Sequence, residues 1–175
     1  MSVEVEGLQE LQANLNNVAS EIAGATMKGL EAVGLEVVAE AKKNLKRNRT
    51  NNTMTLSSSG RVQKVKEKGE EGIDAGFFSS GSDEGYAAAV EYGRGPSQRR
   101  SAISLEQSLK AWVHRKLGVP YGKELNSAAF LIARKIHRRG TKAQPFFAPA
   151  VKKVQAKLEE IISKYVDNKI KETTE

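Results

Sequence analysis

The sequence predicts a mixed fold, of the α+β class, in which several helices accompany one small antiparallel hairpin. Apolar residues spaced three and four apart predict a long N-terminal helix and a C-terminal helix. Between them, two short segments separated by turn residues predict a pair of strands. At 175 residues the chain is long enough to bury a core without disulfides or metals, and residues 1–175 are predicted to form a single domain.

An apolar stripe predicts the N-terminal helix. Gly24, Gly29 and Gly34 lie within it, and each costs about 1 kcal/mol relative to alanine in a helix interior. One long helix and two helices with a kink near Gly24–Gly29 are both compatible with this pattern. Close packing of another element against the glycines is the favoured explanation. The stripe consists of Leu8, Leu11, Leu15, Val18, Ile22, Thr26, Leu30, Val33, Val37, Ala41 and Leu45.

The hairpin follows a polar, turn-rich segment. Residues 48–60 are expected to form a flexible loop, which could include a short strand at Met54–Leu56. Arg61–Lys68 alternates weakly, Glu70–Gly72 predicts a turn, and Ile73–Phe78 predicts the second strand. We expect one face of this hairpin to lie on the first helix.

Residues 94–142 predict a basic helical excursion. Ser104 and Gln107 form a capping box at the start of its first helix, because the hydroxyl and the amide can satisfy free backbone N–H groups. Gly118 and Pro120 then end that helix.

The next helix is expected to be capped by Asn126 or Ser127 and to end at Gly140. Pro149 is predicted in the first turn of the C-terminal helix, which reaches about Ile170. The inward-facing residues of the capped helix are expected to be Phe130, Ile132, Ala133 and Ile136, and its last turn carries His137, Arg138 and Arg139.

The net charge of +7 conceals two basic blocks. Residues 42–68 hold nine Lys and Arg against one acid, and residues 94–142 hold twelve against two, so the rest of the chain carries a charge of −11. Blocks of this kind contact nucleic acid, or they meet acidic faces of neighbouring subunits. Both partners remain open from the charge alone.

Composition excludes several classes of protein. The chain has no cysteine, which excludes disulfides, thiolate metal sites and thiol catalysis. No apolar run approaches the roughly 20 residues that cross a bilayer, so no membrane contact is expected. The N-terminus lacks a basic region followed by an apolar core, which predicts a protein made in the cytoplasm.

The sequence contains no constellation typical of catalysis. His114 and His137 have no carboxylate at ligand spacing on the same helix face, so no metal site is expected. Neither a phosphate-binding glycine loop nor a nucleophile elbow occurs, and no cofactor is expected. Glu91 could act as a general base, but a carboxylate that caps backbone N–H groups or pairs with an arginine is the favoured interpretation. The protein is therefore expected not to be an enzyme.

Two short motifs flank the basic excursion. The first, Tyr86–Gly93, places three alanines and Val90 between two tyrosines, with Glu91 as its one charge. This composition suits either a packing hinge or a site, and the lack of catalytic companions favours the hinge. The second motif is Gln144–Ala150, which contains two phenylalanines and two prolines. We interpret the two motifs as the segments that hold the chain in place on either side of residues 94–142.

The candidate functional residues fall into two groups. The motif residues are Tyr86, Glu91, Tyr92, Gly93, Pro145, Phe146, Phe147 and Pro149. The basic residues that could contact a protein partner or DNA are Arg94, Arg99, Arg100, Arg134, Lys135, Arg138 and Arg139.

The order and spacing of these motifs resemble a known family. Tyr86–Gly93, followed some fifty residues later by Gln144–Ala150, resembles the head–tail joining and tail-completion proteins of long-tailed bacteriophages, the gp-ten-like tail components. The opening Val5–Leu11 and the segment Ala133–Thr141 are similar as well, so the resemblance covers most of the chain. Relatives commonly continue the first motif with threonine, whereas here Arg94 opens a basic loop.

This resemblance implies a structural role in the virion. Such proteins form a ring, typically hexameric, in the neck between the head connector and the tail tube or its terminator. The implied fold is a small curved antiparallel sheet packed against the long N-terminal helix and the C-terminal helix, with a helical insertion. DNA passes through the lumen of such a ring, so non-specific DNA contact would be compatible with this role. A basic nucleic-acid-binding module is the alternative function.

Overall fold

The computed structural model describes residues 7–48, 55–78, 86–96 and 102–174. Within these ranges the fold is α+β, as predicted, with seven helices and one two-stranded antiparallel sheet. The helices are α1 (Leu8–Arg47), α2 (Thr55–Ser58), α3 (Tyr86–Tyr92), α4 (Ala102–Leu117), α5 (Lys123–Arg139), α6 (Phe147–Gln155) and α7 (Leu158–Thr174), and the strands are β1 (Gly60–Glu67) and β2 (Glu70–Phe77).

The chain forms two compact units. The first comprises residues 1–43, 60–78 and 147–175, and the second comprises residues 44–59 and 79–146. Helix α1 therefore contributes its last turn to the second unit. The prediction of a single domain over residues 1–175 stays a prediction.

In the first unit, glycines of α1 admit both the hairpin and the C-terminal helix. A Cβ atom on Gly34 would lie 3.1 Å from Val62 and 3.2 Å from Ala75, so the hairpin lies on α1 as predicted. A Cβ on Gly29 would lie 3.2 Å from the Cα of Ile162 in α7. Helix α1 is continuous over 40 residues, so the segment is one helix rather than two. Gly29 and Gly34 serve close packing, whereas a Cβ on Gly24 would meet nothing within 4 Å, so the packing explanation does not hold there.

The hairpin turn lies closer to β1 than the sequence predicted. Glu67 pairs with Glu70, so Lys68 and Gly69 form a two-residue turn with φ of 52° and 90°. Positive φ at both positions is typical of the type I′ turn, whose twist matches that of the strands. The predicted turn at Glu70–Gly72 is wrong, since those residues already pair within β2.

An ion pair joins α1 to α6 in the first unit. The Nζ of Lys153 donates a hydrogen bond of 2.7 Å to Glu40, whose other oxygen lies 3.3 Å from the Nζ of Lys43. The hydrogen bond from Lys153 is the largest influence on Glu40 and holds the pKa of its carboxyl below the ordinary value of 4.5.

The core of the second unit lies between α4 and α5. Val113, Leu125 and Ala129 are buried there, and Leu109, Trp112, Val119, Ala128 and Ile132 pack around them. The Nδ1 of His114 lies 2.9 Å from the carbonyl oxygen of Val119, so Nδ1 carries the proton and donates it to this bond. His114 therefore ties the end of α4 to the following loop and is half-buried.

Several helix boundaries differ from the prediction. Helix α4 begins at Ala102, so Ser104 lies within the helix and the predicted capping box is wrong. Helix α5 begins at Lys123 after Gly122, ahead of the predicted cap at Asn126 or Ser127, and ends at Gly140 as predicted.

The C-terminal helix is interrupted, and the segment before β1 is partly helical. Helices α6 and α7 are separate where one helix was predicted, and Pro149 lies in the first turn of α6. Residues 49–54 of the predicted loop 48–60 lie outside the described residues. Thr55–Ser58 form the short helix α2, so a strand over Met54–Leu56 is wrong at its two described residues.

Candidate functional site

Most of the motif Tyr86–Gly93 forms the short helix α3, and Gly93 follows its end. Three consecutive alanines favour a helix, because alanine has the highest intrinsic helix propensity. In this helix the aromatic side chains are exposed and the charged one is buried: Tyr86 and Tyr92 are 46% and 80% exposed, whereas Glu91 is 7% exposed.

The two sequence motifs meet at Glu91. The backbone N–H of Phe146 donates a hydrogen bond of 2.7 Å to Oε2 of Glu91. Both residues are buried, and Phe146 is 2% exposed. A charged acceptor makes a shorter and stronger bond than a neutral one, so this contact joins the motifs firmly. The carboxylate binds a backbone N–H, in the manner that the sequence favoured over a general base.

Backbone hydrogen bonds join the same two segments on either side of Glu91. The N–H of Gln144 donates to the carbonyl of Val90 at 2.8 Å, which satisfies a carbonyl that the end of α3 leaves free. Arg94 and Thr141 form an isolated antiparallel bridge with hydrogen bonds of 3.0 and 2.8 Å. Backbone pairing thus joins the two ends of the segment 94–142.

Two glycines permit this close approach. Gly93 has φ of 76°, and a Cβ there would lie 2.7 Å from the backbone nitrogen of Ala143 and from the carbonyl oxygen of Thr141. Gly140 has φ of 73°, and a Cβ there would overlap the carbonyl oxygen of Arg94. A side chain at either position would therefore meet both backbone strain and a backbone clash.

Two asparagines at the end of α1 bind the same segment, and neither was predicted from the sequence. The Nδ2 of Asn44, which is buried, donates to the carbonyl of Phe146 at 2.9 Å. The Nδ2 of Asn48 donates to the carbonyl of Pro145 at 3.1 Å. Their spacing after Val37 and Ala41 continues the apolar stripe of α1 with amides, which is the signal that could have identified them. We call Glu91, Asn44, Asn48, Pro145 and Phe146 the clamp.

The other motif residues lie apart from the clamp contacts. Phe147 belongs to the first unit, where its ring packs edge-on against Phe77 with centroids 6.1 Å apart. Pro149 follows in the first turn of α6.

Helix α5 carries four of the predicted basic contact residues on an exposed surface. Arg134, Lys135, Arg138 and Arg139, with Leu131, line a shallow groove of about 450 Å³. Leu131 is 60% exposed, and Phe130, predicted to face inward, is 47% exposed. Ala133 is buried and Ile132 packs against the core, as predicted, while Leu125 and Ala129 are further buried positions. We call Leu131, Arg134, Lys135, Arg138 and Arg139 the basic face.

None of the four cations of the basic face forms an ion pair with a described residue. Arg94 is exposed and contributes its backbone to the bridge with Thr141. Arg99 and Arg100 lie outside the described residues. The structure therefore gathers four of the seven predicted contacts on one helix.

Among the described residues, no cluster of three or more His, Asp or Glu side chains could hold a metal ion. In the same ranges, no helix combines the length and the apolarity that a membrane crossing demands.

Comparison with protein families supports the predicted resemblance. The family model described as Bacteriophage HK97-gp10, putative tail-component, matches residues 9–93. The match spans the long helix, the hairpin and the motif that ends at Gly93, so the predicted family resemblance is confirmed over this part of the chain. No curated protein and no solved structure matches the chain.

Proposed function

We propose that the chain is a structural protein of the neck of a long-tailed bacteriophage. In this role it completes the tail and joins the head connector to the tail tube or tail terminator, as a closed homo-oligomeric ring, and it catalyses no reaction. The match to a tail-component family over residues 9–93 supports the class. The proposal goes beyond this class in two respects: it places the protein in the neck, and it gives it the form of a ring with six copies as the expected number.

The observation that carries the structural role is the use of Glu91. Its carboxylate is buried and accepts the N–H of Phe146, so the most conspicuous charged side chain of the motifs stabilises the backbone. The Arg94–Thr141 bridge closes the excursion between the motifs at its base. A rigid base of this kind suits a protein that presents α4 and α5 to a partner.

The basic face supplies a surface for a neighbour. Its four cations lie on one exposed helix and have no described ion-pair partner, while the chain outside residues 42–68 and 94–142 carries a charge of −11. Opposite charges on different surfaces of one chain favour a head-to-tail contact, in which the basic surface of one copy meets an acidic surface of the next. A head-to-tail contact closes into a ring when its rotation permits.

The test is a mass measurement in solution across salt concentrations, alone and with head-connector and tail-tube proteins. The wild-type chain should form a closed oligomer at low salt, and the double variant Arg134→Glu, Lys135→Glu should lose it. The variant Lys28→Glu, Lys157→Glu has the same net charge change at exposed positions and should keep it. A chain that stays monomeric under all these conditions would overturn the proposal.

A second candidate function, contact with the DNA backbone, is favoured by the groove geometry of the basic face. Cations along one helix can neutralise phosphates without reading sequence. Duplex binding measured by fluorescence anisotropy should then weaken with salt at a logarithmic slope of about −0.9 for each phosphate contacted. No binding at low salt would dispose of this candidate.

A further inference from the structure

The N-terminal end of α1 extends beyond everything that packs on it. Every residue from 7 to 21 is exposed, although α1 is buried along one side from Ala25 onward. The exposed end nevertheless keeps a stripe of large apolar side chains. Leu8, Leu11, Leu15 and Val18 are 58%, 56%, 60% and 37% exposed. We call these four residues the α1 stripe.

The α1 stripe continues a seam that the fold already uses. The spacing from Leu8 through Val18, Ile22 and Ala25 to Gly29 alternates three and four without interruption, as at the a and d positions of a coiled coil. Helix α7 covers the far end of this seam, where Ile162 packs at Gly29. The same pattern is thus covered at one end and bare at the other.

Helix α7 ends where the bare part begins. Its Lys169 lies 3.7 Å from Glu21, and the hydroxyl of Thr173 donates to Glu21 at 3.0 Å. Ile162 packs eight positions further along α1, so α7 runs antiparallel to α1. Helix α7 ends at Thr174 and therefore does not reach the α1 stripe. Among the described residues, no other element continues along α1 from the end of α7.

We propose that the α1 stripe packs against the α1 stripe of a second copy. The two helices run antiparallel, and the second copy covers the side of α1 that α7 covers further along the helix. In this register Leu8 lies opposite Val18 of the other copy, and Leu11 lies opposite its Leu15. A stripe with two a and two d positions is self-complementary in this orientation, which a two-fold contact requires. The contact is independent of the proposed ring.

The residues beside the α1 stripe select a neutral partner. Gln12, Asn14 and Ala19 flank it and carry no charge, so two copies meet without like-charge repulsion. Glu10 points away from the seam by its heptad position. A strongly basic partner would find little opposite charge at the contact, whereas a second copy matches its apolar and neutral character.

Cysteine cross-linking tests the contact directly, because the chain has no cysteine of its own. In the antiparallel register Asn14 lies beside the two-fold axis and faces Asn14 of the other copy. The variant Asn14→Cys should form a disulfide-linked dimer on mild oxidation. Ala13→Cys, one residue away on the outer side of the helix, is the matched control and should remain largely uncross-linked.

High salt separates this contact from the proposed ring. At about 1 M salt the Debye length falls to about 3 Å, so charge-dependent ring contacts are screened whereas an apolar contact persists. The Asn14→Cys dimer should therefore form at high salt as at low salt. Adding Leu15→Glu should abolish it without changing the helical circular dichroism, since Leu15 is exposed in the single chain.

Equal cross-linking of Asn14→Cys and Ala13→Cys would overturn the proposal. So would dimer formation that survives Leu15→Glu. Neither result would bear on the ring, which depends on the basic face and is tested at low salt.

Discussion

Replacing Glu91 tests the clamp at its centre. Glu91→Ala removes the acceptor for the Phe146 N–H, which donates at 2.7 Å in a buried environment. A buried donor that loses its partner costs about 1–3 kcal/mol, and a hydrogen bond to a charged group contributes about 1.5–3 kcal/mol. We expect Glu91→Ala to lower the free energy of unfolding by about 2–3 kcal/mol.

The conservative change separates the charge from the hydrogen bond. Glu91→Gln keeps an oxygen that can accept from Phe146 and loses the charge, so a loss of about 1 kcal/mol is expected. For a chain of this length 1 kcal/mol corresponds to a shift in Tm of about 2–4 °C. Glu91→Ala should therefore melt roughly 4–12 °C below the wild type.

Urea denaturation followed by circular dichroism is the appropriate assay, because it gives the free energy of unfolding directly. Glu36→Ala is the control: Glu36 is an exposed glutamate of α1 and should change stability by less than about 0.5 kcal/mol. If Glu91→Ala unfolded at the same urea midpoint as Glu36→Ala, the carboxylate would not be holding the two motifs together.

Three further predictions concern the described contacts. Gly93→Ala should destabilise by at least about 1–2 kcal/mol because of its positive φ, whereas Gly95→Ala, with open space around it, should be neutral or slightly stabilising; equal urea midpoints would contradict this. Asn44→Ala should cost about 1–3 kcal/mol, since the buried Phe146 carbonyl loses its 2.9 Å bond; an unchanged unfolding free energy would count against it. The lowered pKa of Glu40 means that its pairing with Lys153 stabilises the fold above about pH 4.5 and is lost as the pH falls through the folded-state pKa. In a plot of unfolding free energy against pH, Glu40→Gln should therefore lose less stability on acidification than the wild type. An equal loss in both proteins would refute the role given to the Glu40–Lys153 pair.

Local pattern was sufficient to predict most elements and to locate the two motifs. The three-and-four spacing from Leu8 to Leu45 predicted α1, and Gly140 predicted the end of α5. The sequence also favoured a structural role for Glu91, either in capping backbone N–H groups or in pairing with an arginine. These features depend on residues close in the chain, or on the chemistry of one side chain, and they are visible without a third dimension.

Tertiary packing decided what periodicity leaves ambiguous. Phe130 satisfies the spacing of an inward residue but is exposed, because the face of α5 that meets α4 carries Leu125 and Ala129. The glycines of α1 were compatible with one helix or with two; the structure has a single helix, in which Gly29 and Gly34 allow other elements to approach closely. A one-dimensional pattern specifies which residues share a face, but not which face another element covers.

The sequence by itself determined the fold class, the two motifs and the basic excursion between them. Only the structure showed that Glu91 binds the N–H of Phe146, 55 residues away, and that Asn44 reaches the same residue across 102 positions. Hydrogen bonds between distant segments depend on how whole helices pack against one another in the folded chain. No local propensity encodes that position, which explains why the motifs were visible in the sequence and the clamp was not.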